Sequence, residues 1–225
     1  SIIDIQMSRP EYERFIHSYE SKCGYKLFSR ELSGSDDVCI AFSRVCEMKN
    51  IYVNTCEYPW KNEPTGLWVD VVPIDGAPKR ESKAKIKICI MYGLWILTIM
   101  SRHAAHAKIR TTHGGVKKIR MALKKLLVSF LPKDFVLRYI SMCQQYSFED
   151  SEFIANYSTM QNKYREWQPK SSMLKFVLHQ FERGKFYIME DYETSLSHLY
   201  GNYMKLPPID KQVPHIENSF FWKNQ

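Results

Sequence analysis

Several common features are missing from this sequence. Its six cysteines form no C-x-x-C pair and no Cys/His spacing suited to zinc. A disulfide framework and a structural zinc site are therefore excluded, and the thiols are read as reduced and mostly buried in a cytoplasmic protein. The uncharged run from Ile88 to Met100 is shorter than the roughly 20 apolar residues that span a bilayer. There is no internal repeat and no low-complexity tract, which excludes solenoids and disordered polymers. No signal peptide is visible at Ser1. The chain opens in a strand-like segment, so its start is read as open to further residues upstream.

What is present supports a packed fold. The chain has 225 residues, 44% of them apolar and 14% aromatic, enough for one large domain with a sizeable core. The charge is uneven. Residues 79–125 hold thirteen Lys/Arg against a single acid, Glu81, a balance of +12; the remaining nineteen Lys/Arg and twenty-three acids leave −4. Such a block is either a solvated helix face or a docking surface for a polyanion such as nucleic acid or anionic lipid.

Taken in order, Ile2, Ile3 and Ile5 around Asp4 suggest a strand. Ser8-Arg9-Pro10-Glu11 then predicts a helix start with a capping box, and Tyr12, Phe15, Ile16 and Tyr19 form its apolar stripe. Short strands are predicted at 25–28, 38–42 and 51–53. After Pro78 the pattern turns helical, with a long helix over 85–106, a basic amphipathic one over 116–131 and a third over 134–145. The apolar run 88–100 suits either a buried core helix or an interfacial one flanked by cations. Residues 152–158 return to the sheet, residues 181–188 look like a hairpin, and Asp191 caps a last helix that stops at Gly201. The fold class is α+β: a small mixed sheet with flanking helices and a mostly helical insertion. It reads as one domain, with a sheet-bearing part (1–78), a basic helical part (79–150) and a C-terminal part (151–225) packing back on the core.

The most informative stretch is Leu67 to Pro78. Leu67, Val69, Val71 and Val72 predict a largely buried strand, and Asp70 interrupts it. Pro73 with Asp75-Gly76 predicts a closing turn. A carboxylate in a buried strand costs several kcal/mol unless a cation or several donors meet it. Asp70 is thus either a structural acid or a metal ligand at a sheet end.

Four segments together resemble the LicD family of phosphocholine and related phospho-alcohol transferases, relatives of fukutin in the nucleotidyltransferase superfamily. Ile3-Asp4-Ile5 followed by Arg9-Pro10-Glu11-Tyr12-Glu13-Arg14-Phe15 looks like the family's acidic strand and the helix after it. Val69-Asp70-Val71-Val72-Pro73-Ile74-Asp75-Gly76 looks like its Ile-Asp-Ile-Phe-Pro-Leu-Asp-Gly segment. Phe181-Glu182-Arg183-Gly184 and Tyr200-Gly201-Asn202-Tyr203-Met204-Lys205-Leu206-Pro207-Pro208 are similar to its C-terminal signatures, and His215 follows where the family has a His. The resemblance covers residues 4–78 and 156–215. Departures are specific: Ser1 and Ile2 stand where the family has two more carboxylates, Asn202 replaces an Asp, Gln212 an Arg and Ile216 a His. The family's upstream Gly-rich segment is absent from this chain.

The resemblance implies a nucleotidyltransferase-like sheet and transfer of a phosphocholine-like group. The donor would be a CDP-alcohol, and the acceptor a sugar hydroxyl on a cell-surface glycan, lipopolysaccharide or teichoic acid precursor. Mg²⁺ (or Mn²⁺) would be held by Asp4 and Asp70, because phosphoryl transfer needs charge neutralisation more than covalent help. Arg9 is read as either a phosphate contact or the partner of a local carboxylate. Tyr203 is read as either a choline cation–π surface or packing, and His215 as a phosphate donor, a base or a structural residue. Asp75 is assigned to turn chemistry. The basic block would meet an anionic membrane surface on the cytoplasmic side. The alternative is a non-catalytic glycan- or nucleotide-binding protein on the same fold; nucleic acid as partner fits less well.

Overall fold

The computed structural model describes residues 4–33, 40–54, 66–106, 119, 123, 126, 130, 135–159, 163–206, 208, 212 and 219–222. Strand β1 (Ile5–Ser8) runs directly into helix α1 (Arg9–Ser18), followed by β2 (Tyr25–Phe28), the short α2 (Arg30–Ser33), β3 (Ser43–Glu47), β4 (Ile51–Asn54) and the eleven-residue β5 (Leu67–Ala77). Helix α3 (Glu81–His106) and helix α4 (Phe135–Cys143) precede β6 (Phe153–Ala155) and β7 (Gln168–Pro169). The hairpin β8 (Phe176–Phe181) and β9 (Gly184–Met189), helix α5 (Tyr192–Tyr200) and β10 (Ser219–Trp222) complete the order. The fold is α+β.

Strand β5 is the axis. Its first half pairs antiparallel with β3, Arg44 opposite Asp70 and Ser43 opposite Val71, while β1 pairs parallel on its other register, Ile5 opposite Val71 through Ser8 opposite Ile74. Its last three residues pair with β6, Asp75 opposite Ala155. Side chains alternate across a strand, so odd and even positions of β5 serve different faces. On the odd face α1 packs: Tyr12, Ile16 and Val71 form a buried cluster with Met7, Phe15, Leu27 and Val45 around it. The Tyr12 hydroxyl meets Ser43 Oγ at 2.6 Å, which satisfies both polar atoms beneath the helix.

A second core joins the end of β5 to α3, α4 and β6 through Ala77, Ile88, Met91, Val136, Tyr139, Ile140, Cys143, Ala155 and Tyr157. Each large apolar side chain fully buried there contributes about 1.5–3 kcal/mol. Helix α3 is thus a core helix along the stripe Ala84, Ile88 and Met91, yet Ile86 and Ile90 on its other side are exposed. Among the described residues no helix is long and apolar enough to cross a membrane.

Some expectations need correction. The predicted turn at Asp75-Gly76 is strand, because β5 continues to Ala77. Gly76 is required there for proximity, since a Cβ would overlap the Ser147 carbonyl and crowd Ser151 Oγ. Of the strand predicted over 38–42, residues 38 and 39 lie outside the described residues and 40–42 are bends, with strand β3 starting at Ser43. Ser8 precedes α1 but makes no side-chain cap bond; Glu11 pairs with Arg14 on the surface instead. Of the described cysteines, Cys46 and Cys143 are buried but Cys23 and Cys89 are exposed; Cys39 and Cys56 lie outside the described residues. The hairpin, the return strand at 153–155 and the stop of the last helix at Gly201 with φ 72° agree with their sequence patterns, although Asp191, at the start of that helix, makes no side-chain cap bond.

Candidate functional site

Two carboxylates approach each other because β1 and β5 run parallel in this register. Asp4 lies one residue before Ile5, and Asp70 one before Val71, so the two acids are level on adjacent strands. Arg44 sits opposite Asp70 on the other neighbour, β3. Cross-strand neighbours share a face, so Asp4, Asp70 and Arg44 form one row on the even face of β5, with Trp68 two residues along. The Arg44 guanidinium grips the Asp70 carboxylate, Nε to Oδ1 at 2.6 Å and Nη2 to Oδ2 at 3.3 Å. It also stacks over the Trp68 ring at 4.6 Å. The Arg44 and Asp70 side chains are 16% and 18% exposed, so the pair lies at the solvent boundary, and Asp4 is the more exposed member of the row. Partial burial and the neighbouring Asp70 charge push the Asp4 carboxyl above its usual value, with Arg44 pulling the other way. Both neighbours in the row thus act on Asp4, in opposite directions.

The second arginine–carboxylate pair serves the opposite face. Arg9, the first residue of α1, donates Nε to Asp75 Oδ1 at 2.7 Å and Nη2 to Asp75 Oδ2 at 3.0 Å. Its Nη1 meets Glu31 at 3.1 Å, and its guanidinium lies 5.1 Å from the Tyr12 ring centre. Asp75 is 1% exposed. Burial raises the Glu31 carboxyl, partly offset by Arg9. Asp75 lies five positions after Asp70, an odd offset, so alternation puts them on different faces. Arg9 is therefore engaged by two carboxylates below the sheet, away from the Asp4–Asp70 row.

Tyr203 lies half-buried in the turn after α5, its N–H on the Gly201 carbonyl at 2.9 Å; among the described residues no hydrogen bond or ring contact joins it to the acidic row. His215 lies outside the described residues. Among the described residues no group of three or more His, Cys, Asp or Glu side chains is placed to hold a metal ion. The donor set that is present, two carboxylates level on neighbouring strands, still fits magnesium, which takes one or two carboxylates and completes its shell with water and substrate phosphate. Arg44 competes for one of the two. Sequence reasoning missed Arg44 because it lies in the strand 43–47, whose only signal is an arginine flanked by Ser43 and Val45.

Comparison with known proteins adds one relative. The chain is 25% identical over 224 residues to the lipopolysaccharide cholinephosphotransferase LicD of Haemophilus influenzae, covering 95% of this chain and 77% of that protein. No family model matches the chain, and no solved structure matches it. The similarity takes in nearly the whole chain, and the motif-based resemblance to the LicD family is borne out.

Proposed function

We propose that this LicD relative transfers a phosphocholine-like group from a CDP-activated donor to a sugar hydroxyl of a lipopolysaccharide-type glycan. The observation that carries the reading is the pair Asp4 and Asp70, level on parallel neighbours within two family segments that lie far apart in sequence. The name of the relative, a lipopolysaccharide cholinephosphotransferase, supports the same chemistry. In the transfer the acceptor oxygen bonds to phosphorus as the bond from phosphorus to the CMP oxygen breaks, CMP leaves, and the hydroxyl proton passes to a carboxylate or to water. Asp4 and Asp70 would hold Mg²⁺, which supplies neutralisation of the charge that develops on the phosphoryl oxygens. Asp70, the more enclosed of the two, would also orient the acceptor hydroxyl. The sheet is of nucleotidyltransferase type in this reading, and the cations of residues 79–125 hold the protein at an anionic membrane surface on the cytoplasmic side.

A second reading has an observation of its own. Asp70 is already neutralised by Arg44, as expected of a binding protein that has no catalytic metal. One assay separates the two. The protein is incubated with CDP-choline, Mg²⁺ and lipopolysaccharide acceptor, and phosphocholine incorporation and CMP release are measured together. Equal amounts of both products establish the transferase; CDP-choline binding without either product establishes the binding protein.

A further inference from the structure

The site needs a cation for the donor's phosphates, and its geometry singles out one that the motifs did not. A guanidinium has five N–H donors in a fixed fork. In Arg9 the fork is spent on Asp75 and Glu31, beneath the sheet and out of reach of the acidic row. In Arg44 only Nε and one Nη2 hydrogen are committed, both to Asp70. Nη1 has no hydrogen-bond acceptor among the described residues, so three N–H donors stay open. The Asp70 grip on one edge and the Trp68 face below hold the group in a single orientation. That removes most of the rotamer entropy that an arginine ordinarily loses on binding.

We propose that Arg44 is the phosphate-receiving residue of this site: its open edge binds the pyrophosphate oxygens of the donor beside Asp4 and Asp70. The Asp70–Arg44 bridge is then a positioning contact that aims the fork, and Trp68 is its floor. This deepens the transferase reading and rests on it for the class of ligand. Planar bidentate capture of phosphate is chemistry that arginine performs and lysine does not reproduce.

The test is equilibrium binding by calorimetry at fixed Mg²⁺, with CDP-choline and inorganic pyrophosphate as separate probes. Wild type is compared with Arg44→Met and Arg44→Lys, each checked for a cooperative thermal transition. Loss of two charge-assisted hydrogen bonds is expected to weaken binding of both probes about tenfold to a hundredfold or more in Arg44→Met. Arg44→Lys falls between, since it keeps the charge and loses the fork. Should Arg44→Met fail to fold, Trp68→Leu takes its place, because removing the floor weakens both probes without touching a charge. Equal affinities in wild type and variants overturn the proposal, and so does absence of pyrophosphate binding to wild type. The transferase reading fails separately: Arg44-dependent pyrophosphate binding without any phosphocholine transfer would leave this assignment standing and remove that one.

Discussion

Replacing Asp75 by Asn keeps the volume of a side chain that is 1% exposed and removes its charge. What it leaves behind sets the cost. Arg9 keeps Glu31 at 3.1 Å but loses two bonds of 2.7 and 3.0 Å to Asp75. At about 3 Å and an effective dielectric constant near 20, the lost attraction is on the order of 5 kcal/mol. Part of it is recovered because the Asp75 carboxylate no longer has to be desolvated, and the Asn amide can still accept one bond. Removal of one partner from a buried pair costs about 3–5 kcal/mol in general, and we expect Asp75→Asn to fall in that range. For a chain of this length that is a fall of about 6–20 °C in melting temperature. Urea unfolding followed by the fluorescence of the five tryptophans measures it. A loss below about 1 kcal/mol would refute the reasoning, for it would mean that Arg9 is not committed beneath the sheet and is free to meet a substrate. A cycle with Arg9→Met adds a check, since coupled residues give a double variant less unstable than the sum of the singles.

Further outcomes follow from the same geometry. Asp70→Asn should lower the Asp4 pKa and Arg44→Met should raise it, as followed by NMR titration of the Asp4 carboxyl; unchanged values in both would disprove the level arrangement of the row. Lys87 is 7% exposed, has no hydrogen-bond partner for its amine among the described residues, and lies 4.3 Å and 4.6 Å from the Tyr157 and Tyr146 ring centres. Burial pulls its pKa down to about 8, so between about pH 8 and 10.5 the unfolded chain binds more protons at this residue and stability rises with pH. Lys87→Met should therefore be more stable than wild type at pH 7, with the gap narrowing toward pH 10; a gap independent of pH would contradict the assignment. Gly76→Ala should cost about 1–3 kcal/mol in a chemical melt, because its Cβ meets the Ser147 carbonyl; a neutral result would show that the backbone there can yield. Sedimentation with anionic vesicles at low salt should carry the protein down and release it at high salt; failure to bind at low salt would remove the membrane role of residues 79–125.

Much of the architecture was legible because it rests on local chemistry. Alternation of Leu67, Val69 and Val71 announced β5, and the stripe Tyr12, Phe15 and Ile16 announced the helix that covers it. Asp70 stood out because an acid interrupting that strand demands a partner. The partner itself was hidden. Arg44 lies 26 residues away on a strand with little apolar alternation, and only the register of β3 against β5 brings the two together. Asp75 was misread for a related reason. Asp-Gly is a strong turn dipeptide, yet here the Asp meets an arginine 66 residues distant and the Gly admits a neighbouring carbonyl. Neither contact leaves a mark near the dipeptide. Arg9 was open between a phosphate and a local carboxylate, and the structure engages it with two carboxylates.

The central claim is that the row of Asp4, Asp70 and Arg44 handles the phosphoryl group. Its most direct test is the rate of phosphocholine transfer from CDP-choline to lipopolysaccharide by wild type and by Asp70→Asn, with thermal melts confirming that both are folded. The account predicts a fall of at least about a hundredfold, since one substitution removes the carboxylate proposed to hold the metal and to aim Arg44. Transfer at the wild-type rate by folded Asp70→Asn would contradict it.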